Sequence, residues 1–298
     1  MAYLISNPFF SIDLFVSKRF HKKEIIACYD LPSTQKKPYL CIFSHFDMHN
    51  RIDDYVIYYL TELARCGCEI IFVTTSAALS LEERQKIASL CSKIIIKGNR
   101  GRDFGAFKCG IDEITDFSHY EKIILANDSV YGPFFDLTNV IHYGDQHGLD
   151  MWGATDSLEH RYHVQSYLVV FAKTLIQSPS FKQFWQQVYE LGSRENIIQR
   201  YEIGMSSFFL KQGFKLGAYC NYATLRHDLG LKSRPVNSTH YLWDVLITHY
   251  RHSFIKRELL ALNPAKINIS NWKQLLQQYT QFDIHMISNH LNRTTRSA

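Results

Sequence analysis

Between Tyr39 and Asp128 four short apolar runs alternate with stretches of helical spacing, and each run ends abruptly on polar residues. The runs are Tyr39–Ser44 (YLCIFS), Glu69–Thr75 (EIIFVTT), Lys93–Lys97 (KIIIK) and Lys122–Ala126 (KIILA). After the first, Ile52, Val56, Tyr59, Leu60 and Leu63 recur at helical spacing up to a stop at Gly67. After the second, Ser80 is placed to N-cap a helix Leu81–Cys91, with Glu83 at the capping-box position. After the third, the charged turn Asn99-Arg100-Gly101-Arg102-Asp103 predicts a short helix from Phe104 to about Thr115. Strands alternating with helices imply a parallel sheet with right-handed crossovers. The stretch lacks GxGxxG and GxxxxGK[ST], which argues against a dinucleotide dehydrogenase or a P-loop NTPase.

Beyond Asp128, Gly132-Pro133 breaks the chain and Phe135–Tyr143 is expected to be helical. Strands are expected at Met151–Thr155, His163–Ala172 and Lys215–Cys220, and helices at Ser180–Leu191 and Tyr201–Gln212. Trp243–Leu262 and Trp272–Phe282 are expected to form a helical C-terminal extension, giving an arm 1–38, a main domain 39–235 and the extension 236–298. In the arm, Phe9 to Val16 followed by Lys18, Arg19, His21, Lys22 and Lys23 suits either packing on the main domain or an amphipathic contact with a membrane face. LPSTQKKP is expected to be a linker.

With 46% hydrophobic and 20% charged residues, the chain has the balance of a globular protein with a sizeable core. A net charge of +5 is compatible with a phosphate-bearing ligand and too small to argue for nucleic acid. Seven cysteines without metal-type spacing point to reduced, mostly buried thiols in a cytoplasmic protein. No stretch has the pattern of a signal peptide, and none approaches the roughly 18–20 apolar residues of a membrane span.

Polar residues at the carboxyl ends of parallel strands sit where open α/β sheets bind ligands. Here they are His45 and Asp47 after the first run, Ser76 after the second, Asn99, Arg102 and Asp103 after the third, and Asn127, Asp128 and Ser129 after the fourth. The words GRDFGAF, LANDSVYGP, HVQSYLVVF and QRYEIG, in this order between about Tyr39 and Pro264, resemble the rhamnan synthesis protein F family of polysaccharide glycosyltransferases. The turn before a helix and the acid after the next strand also resemble the nucleotide-sugar half of a GT-A enzyme. The resemblance implies a GT-A-like α/β fold, a Rossmann-type, mostly parallel sheet flanked by helices.

It further implies an inverting transfer of rhamnose or another hexose from a nucleotide-diphosphate donor to a lipid-linked or polysaccharide acceptor, in assembly of a bacterial surface polysaccharide such as O-antigen or cell-wall glycan. The work would be done in the cytoplasm, with peripheral contact at the inner membrane face or with other glycosyltransferases. Asp128 would hold the donor diphosphate through Mg²⁺ or Mn²⁺, aided by His227 as a second metal ligand. GT-A enzymes usually place two acids in that motif; here Asn127 and Ser129 flank one, so Arg102 is the diphosphate partner if the site works without metal. Glu202 is the expected base, with Asp156 as runner-up, and His163 and Gln165 suit hydrogen bonds to sugar hydroxyls. Two rivals are a non-catalytic glycan- or nucleotide-binding module, favoured by the missing second acid, and a nucleotidyltransferase, which would release pyrophosphate.

Overall fold

The computed structural model describes residues 13–14, 25–31 and 37–295, with the side chain of 295 excepted. Most of the expected arm, and residues 32–36 of the expected linker, lie outside the described residues. The strands in chain order are β1 (Ile25–Asp30), β2 (Tyr39–His45), β3 (Cys68–Thr74), β4 (Lys93–Lys97), β5 (Lys122–Asn127), β6 (Val130–Tyr131), β7 (Met151–Ser157), β8 (His163–Val164), β9 (Leu168–Ala172), β10 (Leu216–Cys220) and β11 (Ile255–Lys256).

The main sheet runs β1-β4-β3-β2-β5-β9-β7-β10, with β8 paired to β7. The four strands expected to be parallel are so, in the order β4-β3-β2-β5. The edge strand β1, which the sequence reading left unassigned, is antiparallel to β4. The sheet stays mixed beyond β5: β9 inserts antiparallel between β5 and β7, and β10 returns parallel to β7.

The central strands read as unbroken apolar runs because both faces are covered. On β2, Cys41 and Phe43 enter one core with Tyr59 and Leu63 of the helix Asp54–Arg65, while Leu40 and Ile42 enter the other with Phe104 and Phe107 of the helix Arg102–Asp112. The first core also takes in Trp243, Leu276 and Ile287 from the C-terminal part of the chain. The second takes in Trp185, Tyr201 and Met205.

Three expectations are corrected. His163–Ala172 is two strands, because β7 pairs with β9 through Met151–Gly153 and with β8 through Asp156 and Ser157. Trp243–Leu262 is a helix Trp243–Tyr250, a left-handed residue at Arg251, the strand β11 and a helix Arg257–Leu262. β11 exists only by pairing with β6, Ile255 opposite Tyr131 and Lys256 opposite Val130, a long-range contact that local periodicity does not encode. The helix expected from Tyr201 begins earlier as a π-helical stretch Ile198–Glu202 and continues as the α-helix Ile203–Lys211, so Glu202 sits at the junction rather than in a first turn.

Packing beneath β7 leaves no space at Gly144. A Cβ there would lie 2.1 Å from the ring of Trp152, which is fully buried and donates its Nε1–H to the Val140 carbonyl at 2.7 Å. Gly144→Ala should cost roughly 2 kcal/mol through overpacking. The midpoint of urea unfolding checks this, and an unchanged midpoint would show that the Trp152 ring has room to move.

Candidate functional site

The chain runs from β2 to β3 and β4 on one side, and β5 lies on the other side of β2. The carboxyl ends of β2 and β5 are therefore a topological switch point, the crevice at which open α/β sheets bind ligands. Ser44 pairs with Asn127 across it, Asp128 N–H donates to the Ser44 carbonyl (3.2 Å), and Phe46 N–H donates to Asp128 Oδ2 (3.4 Å). Asp128 and His45 thus lie together at one end of the sheet.

Asp128 is buried, and its carboxylate is engaged by Arg257. The guanidinium Nη1 donates to Asp128 Oδ2, to the Asp128 carbonyl and to the Tyr55 hydroxyl, each at 2.8 Å. Burial raises the Asp128 pKa and Arg257 opposes that rise. The carboxylate expected to hold a metal thus has a side-chain cation beside it. His227, the expected second metal ligand, is exposed on the helix Tyr222–Asp228, with its ring beside Asp228 at 3.1 Å. Arg102 is exposed, and among the described residues the cation on Asp128 is Arg257, not Arg102.

Next to this pair stand Asp103, Lys256 and Glu202. Asp103 accepts a hydrogen bond from the Ser44 hydroxyl (2.8 Å), and burial, with the Asp128 charge second, pushes its pKa up to about 6. Lys256 precedes Arg257, and its Nζ lies 4.1 Å from the centre of the Tyr167 ring. Burial lowers the Lys256 pKa, against the pull of Glu202 and Asp103. Glu202 is partly exposed; its Oε2 accepts from Ser166 N–H (3.1 Å) and from the Ser166 hydroxyl. His163 donates Nδ1–H to the Arg161 carbonyl (2.8 Å) and turns Nε2 toward Glu202, 3.8 Å away.

The other expected site residues fall into two groups. Around β2 and β3, His45 and Ser76 each lie within hydrogen-bond reach of Thr74 Oγ1, and Asp47 accepts from His49 N–H and Arg51 N–H. Burial lowers the His45 pKa to about 4, which leaves the ring neutral at pH 7. The Asn127 side-chain oxygen accepts from both Ser129 N–H (3.1 Å) and the Ser129 hydroxyl (2.6 Å), so these two residues shape the turn. Asn99 is exposed. Around β7, Gln165 accepts from the Thr155 hydroxyl inside a buried network with Tyr167 and His252. Asp156 is 1% exposed and accepts from Tyr222 N–H (2.6 Å) and the Asn221 side chain (2.8 Å). It anchors the start of the helix Tyr222–Asp228, and burial pushes its pKa up to about 6.

A second charged group lies beside the first. Asp47, Asp53 and His290 bring one ligand atom each within 4.8 Å of one another. The donor set, two carboxylates and an imidazole kept neutral by burial with a pKa lowered to about 3, suits a divalent cation. Arg293 bridges the same two carboxylates, at 2.6 Å from Asp47 and 2.5 Å from Asp53, and a cation would have to displace it. Arg257, Lys256 and Arg293 were all missed in the sequence: the first two fell inside the expected helix Trp243–Leu262 and the third beyond the expected helix Trp272–Phe282, and the adjacent Lys256-Arg257 was the only local signal.

The rhamnan synthesis protein F family model matches residues 70–298. The chain belongs to this family. It is accordingly a glycosyltransferase, and its mixed α/β sheet with helices on both faces agrees with that assignment. The virulence protein VirA of Vibrio anguillarum is 26% identical over 222 residues, 66% of this chain and 70% of that one. Among solved structures, the glycosyltransferase GlyE of Streptococcus pneumoniae aligns with a TM-score of 0.43 at 11% identity, over 88% of this chain and 64% of that one. A mannosyltransferase of Pyrobaculum calidifontis, in complex with GDP-mannose and Mn²⁺, aligns with a TM-score of 0.33 at 12% identity, over 59% and 56%.

Removing Arg257 would leave Asp128 buried without its counter-ion. Arg257→Met should cost about 3 kcal/mol at pH 7, the scale of breaking a mostly buried pair, and Asp128→Asn in the same chain should recover much of it. Denaturation of the two single variants and the double variant measures the coupling, and additive losses would show that the pair is not one unit. Asp128→Ala alone strips Arg257 of its counter-ion, so the variant is expected to be less stable as well as inactive.

For Asp103 the folded pKa of about 6 lies above the roughly 3.9 of an unfolded chain. Below pH 4 both states are protonated; from pH 4 to 6 the unfolded state ionises first, so this group's contribution to stability falls as pH rises. Asp103→Asn should therefore gain stability relative to the parent across pH 4–6 and keep that gain above it. Parallel unfolding curves at pH 4, 5, 6 and 7 provide the check; a constant difference would mean that Asp103 does not titrate in this window.

Proposed function

We propose that the chain transfers a hexose, rhamnose being the first candidate, from a nucleoside-diphosphate donor to a glycan acceptor with inversion at the anomeric carbon. The observation that carries this is the placing of two cations, Lys256 and Arg257, and one held carboxylate, Glu202, around the switch point of the sheet. A departing diphosphate needs fixed positive charge where its own charge grows, and preorganised cations supply that without rearrangement. An acceptor hydroxyl needs a base. Glu202 has one oxygen held by Ser166, which orients the carboxylate and leaves Oε1 on the His163 side. A divalent cation, if the enzyme uses one, would be held by Asp47, Asp53 and His290 and would add Lewis-acid stabilisation of the diphosphate.

The setting we infer is assembly of a bacterial surface polysaccharide at the inner membrane face, on a lipid-linked or polysaccharide acceptor. Among the described residues no helix is long and apolar enough to cross a membrane, which is consistent with peripheral attachment. Release of nucleoside diphosphate, and not of pyrophosphate, from a sugar nucleotide is the test of this reading.

Glu202→Gln should lower transfer by roughly 10²–10⁴-fold, the scale of a lost general base, with donor binding unchanged. Lys256→Met should weaken binding of the nucleoside diphosphate by roughly tenfold or more, the scale of a lost charge-assisted hydrogen bond. Near-normal turnover in the first variant removes Glu202 as the base. Complete loss of parent activity in chelator would shift the neutralising role from Lys256 and Arg257 toward a cation at Asp47.

A further inference from the structure

The ammonium of Lys256 has no salt-bridge or hydrogen-bond partner among the described residues. The Tyr167 ring lies against one side of it, fixed by the bonds of its hydroxyl to Thr155 (2.6 Å) and His252 (3.2 Å). A second nitrogen base stands close by in the same condition. His240 lies on the short helix Ser238–Tyr241, which packs against β11, the strand that ends in Lys256. Asn237 fixes the start of that helix: its side-chain oxygen accepts from Thr239 N–H (3.2 Å) and the Thr239 hydroxyl (2.7 Å), and from the Gln165 amide at 3.4 Å. Gln165 adjoins Ser166, which holds Glu202, so the segment that carries His240 is tied to the side of the candidate base as well as to β11. The His240 ring is half-buried and, among the described residues, makes no hydrogen bond or ion pair.

The charged groups that act on the His240 ring are Lys256 on β11, Glu258 on the helix that follows it, and Arg194. None comes from the helix Trp243–Tyr250, which also packs here. Arg194 and Glu258 pair with each other at 3.3 Å, which leaves Lys256 as the uncompensated charge. Burial first, and Lys256 after it, lower the His240 pKa from its ordinary value, so the ring is neutral at pH 7. Two nitrogen groups without partners, one positive and one kept neutral beside it, form a seat for an anion. An anion bound to Lys256 would reverse the field at the imidazole, from repelling a proton to attracting one. We propose that His240 is a second diphosphate-binding group: it bonds to the same phosphoryl oxygens as Lys256 and takes up a proton from solvent as they arrive. No bond of the nucleotide is made or broken in this step. The role in the donor site rests on the glycosyl-transfer reading; the proton-linked binding does not.

The test is titration calorimetry on the full chain, in buffers of different ionisation enthalpy and between pH 8 and pH 6. UDP, GDP, ADP, CDP and dTDP are the probes, and the tightest binder is carried forward. The parent is expected to take up protons on binding at pH 7. His240→Gln should bind roughly tenfold more weakly, the scale of one charge-assisted hydrogen bond, and with a smaller uptake. A pKa raised in the complex means that protons favour the complex, so the parent's advantage over this variant should grow as pH falls. The nucleotide's own phosphate and Asp103 titrate alike in both proteins, so the difference between the two isolates His240. His240→Lys puts a fixed charge at the position and should recover affinity with the smaller uptake, which a merely structural histidine would not allow. Equal uptake in the parent and His240→Gln, equal affinity of the two, or an equal loss in the Gln and Lys variants would each overturn the proposal. So would a failure of all five probes to bind. Sugar-nucleotide turnover is measured separately. If turnover is found and His240→Gln binds as the parent does, transfer stands and this role of His240 falls. If the proton-linked binding is found without turnover, His240 stands and transfer falls.

Discussion

A guanidinium does not give up its proton in a protein, so a chain that buries one must surround it with acceptors. Arg257 obtains three at 2.8 Å: both a carboxylate oxygen and the carbonyl of Asp128, and the hydroxyl of Tyr55. Those partners come from the end of β5 and from the helix Asp54–Arg65, while Arg257 itself comes from a segment more than a hundred residues later. Its own backbone N–H donates to the Ser129 carbonyl at 2.9 Å, beside the β6–β11 pairing. The C-terminal part of the chain is thus stitched to the switch point by this side chain and a short ladder, and to Asp47 and Asp53 beside it by Arg293. Trp243 and Ile287 are buried in the same core as Phe43 and Tyr59, which makes the stitching firm.

The cluster that results is costly for the fold. Asp103, Asp128 and Glu202 stand with Lys256 and Arg257 at the carboxyl ends of β2 and β5, and desolvation weighs against the charged forms of Asp103, Asp128 and Lys256. The raised pKa of Asp103 registers that cost directly. A core replacing these groups with packed hydrocarbon would be more stable, and the two apolar layers of the sheet are what allow the cluster to persist. Charge gathered where packing alone would favour none is a mark of a working site.

What could be read in the sequence follows from how local the determinants are. The parallel strands β2 to β5 announce themselves as unbroken apolar runs, and alternation with helices places their carboxyl ends together, so His45, Asp47, Asp103 and Asp128 could be gathered from pattern alone. β1, half exposed along its length, carries no such run. The break between β8 and β9 depends on which neighbour β7 meets, and β11 depends on β6, more than a hundred residues earlier. Asp156 and His227 had suitable residue types and chain positions, yet tertiary contacts turned one into a helix anchor and left the other in solvent. Arg257 was hidden for the same reason as β11: its role is set wholly by distant partners.

Two strand-end acids, Asp128, expected from the sequence to hold a metal, and Asp47, expected to bind the nucleotide sugar, have each acquired an arginine from the C-terminal part of the chain. Arg257 neutralises Asp128, and Arg293 spans Asp47 and Asp53. Both guanidiniums are therefore committed to carboxylates within the fold. Lys256 is different. Among the described residues it makes no salt bridge, its ammonium resting instead over the Tyr167 ring at 4.1 Å. Glu202 and Asp103 hold it charged from a distance while burial pulls the other way. A cation that is desolvated, flanked by acids and paired with none of them has the most to gain from an arriving dianion. On this ground we propose that the diphosphate-binding role falls first to Lys256, with Arg257 behind it fixing the geometry of Asp128.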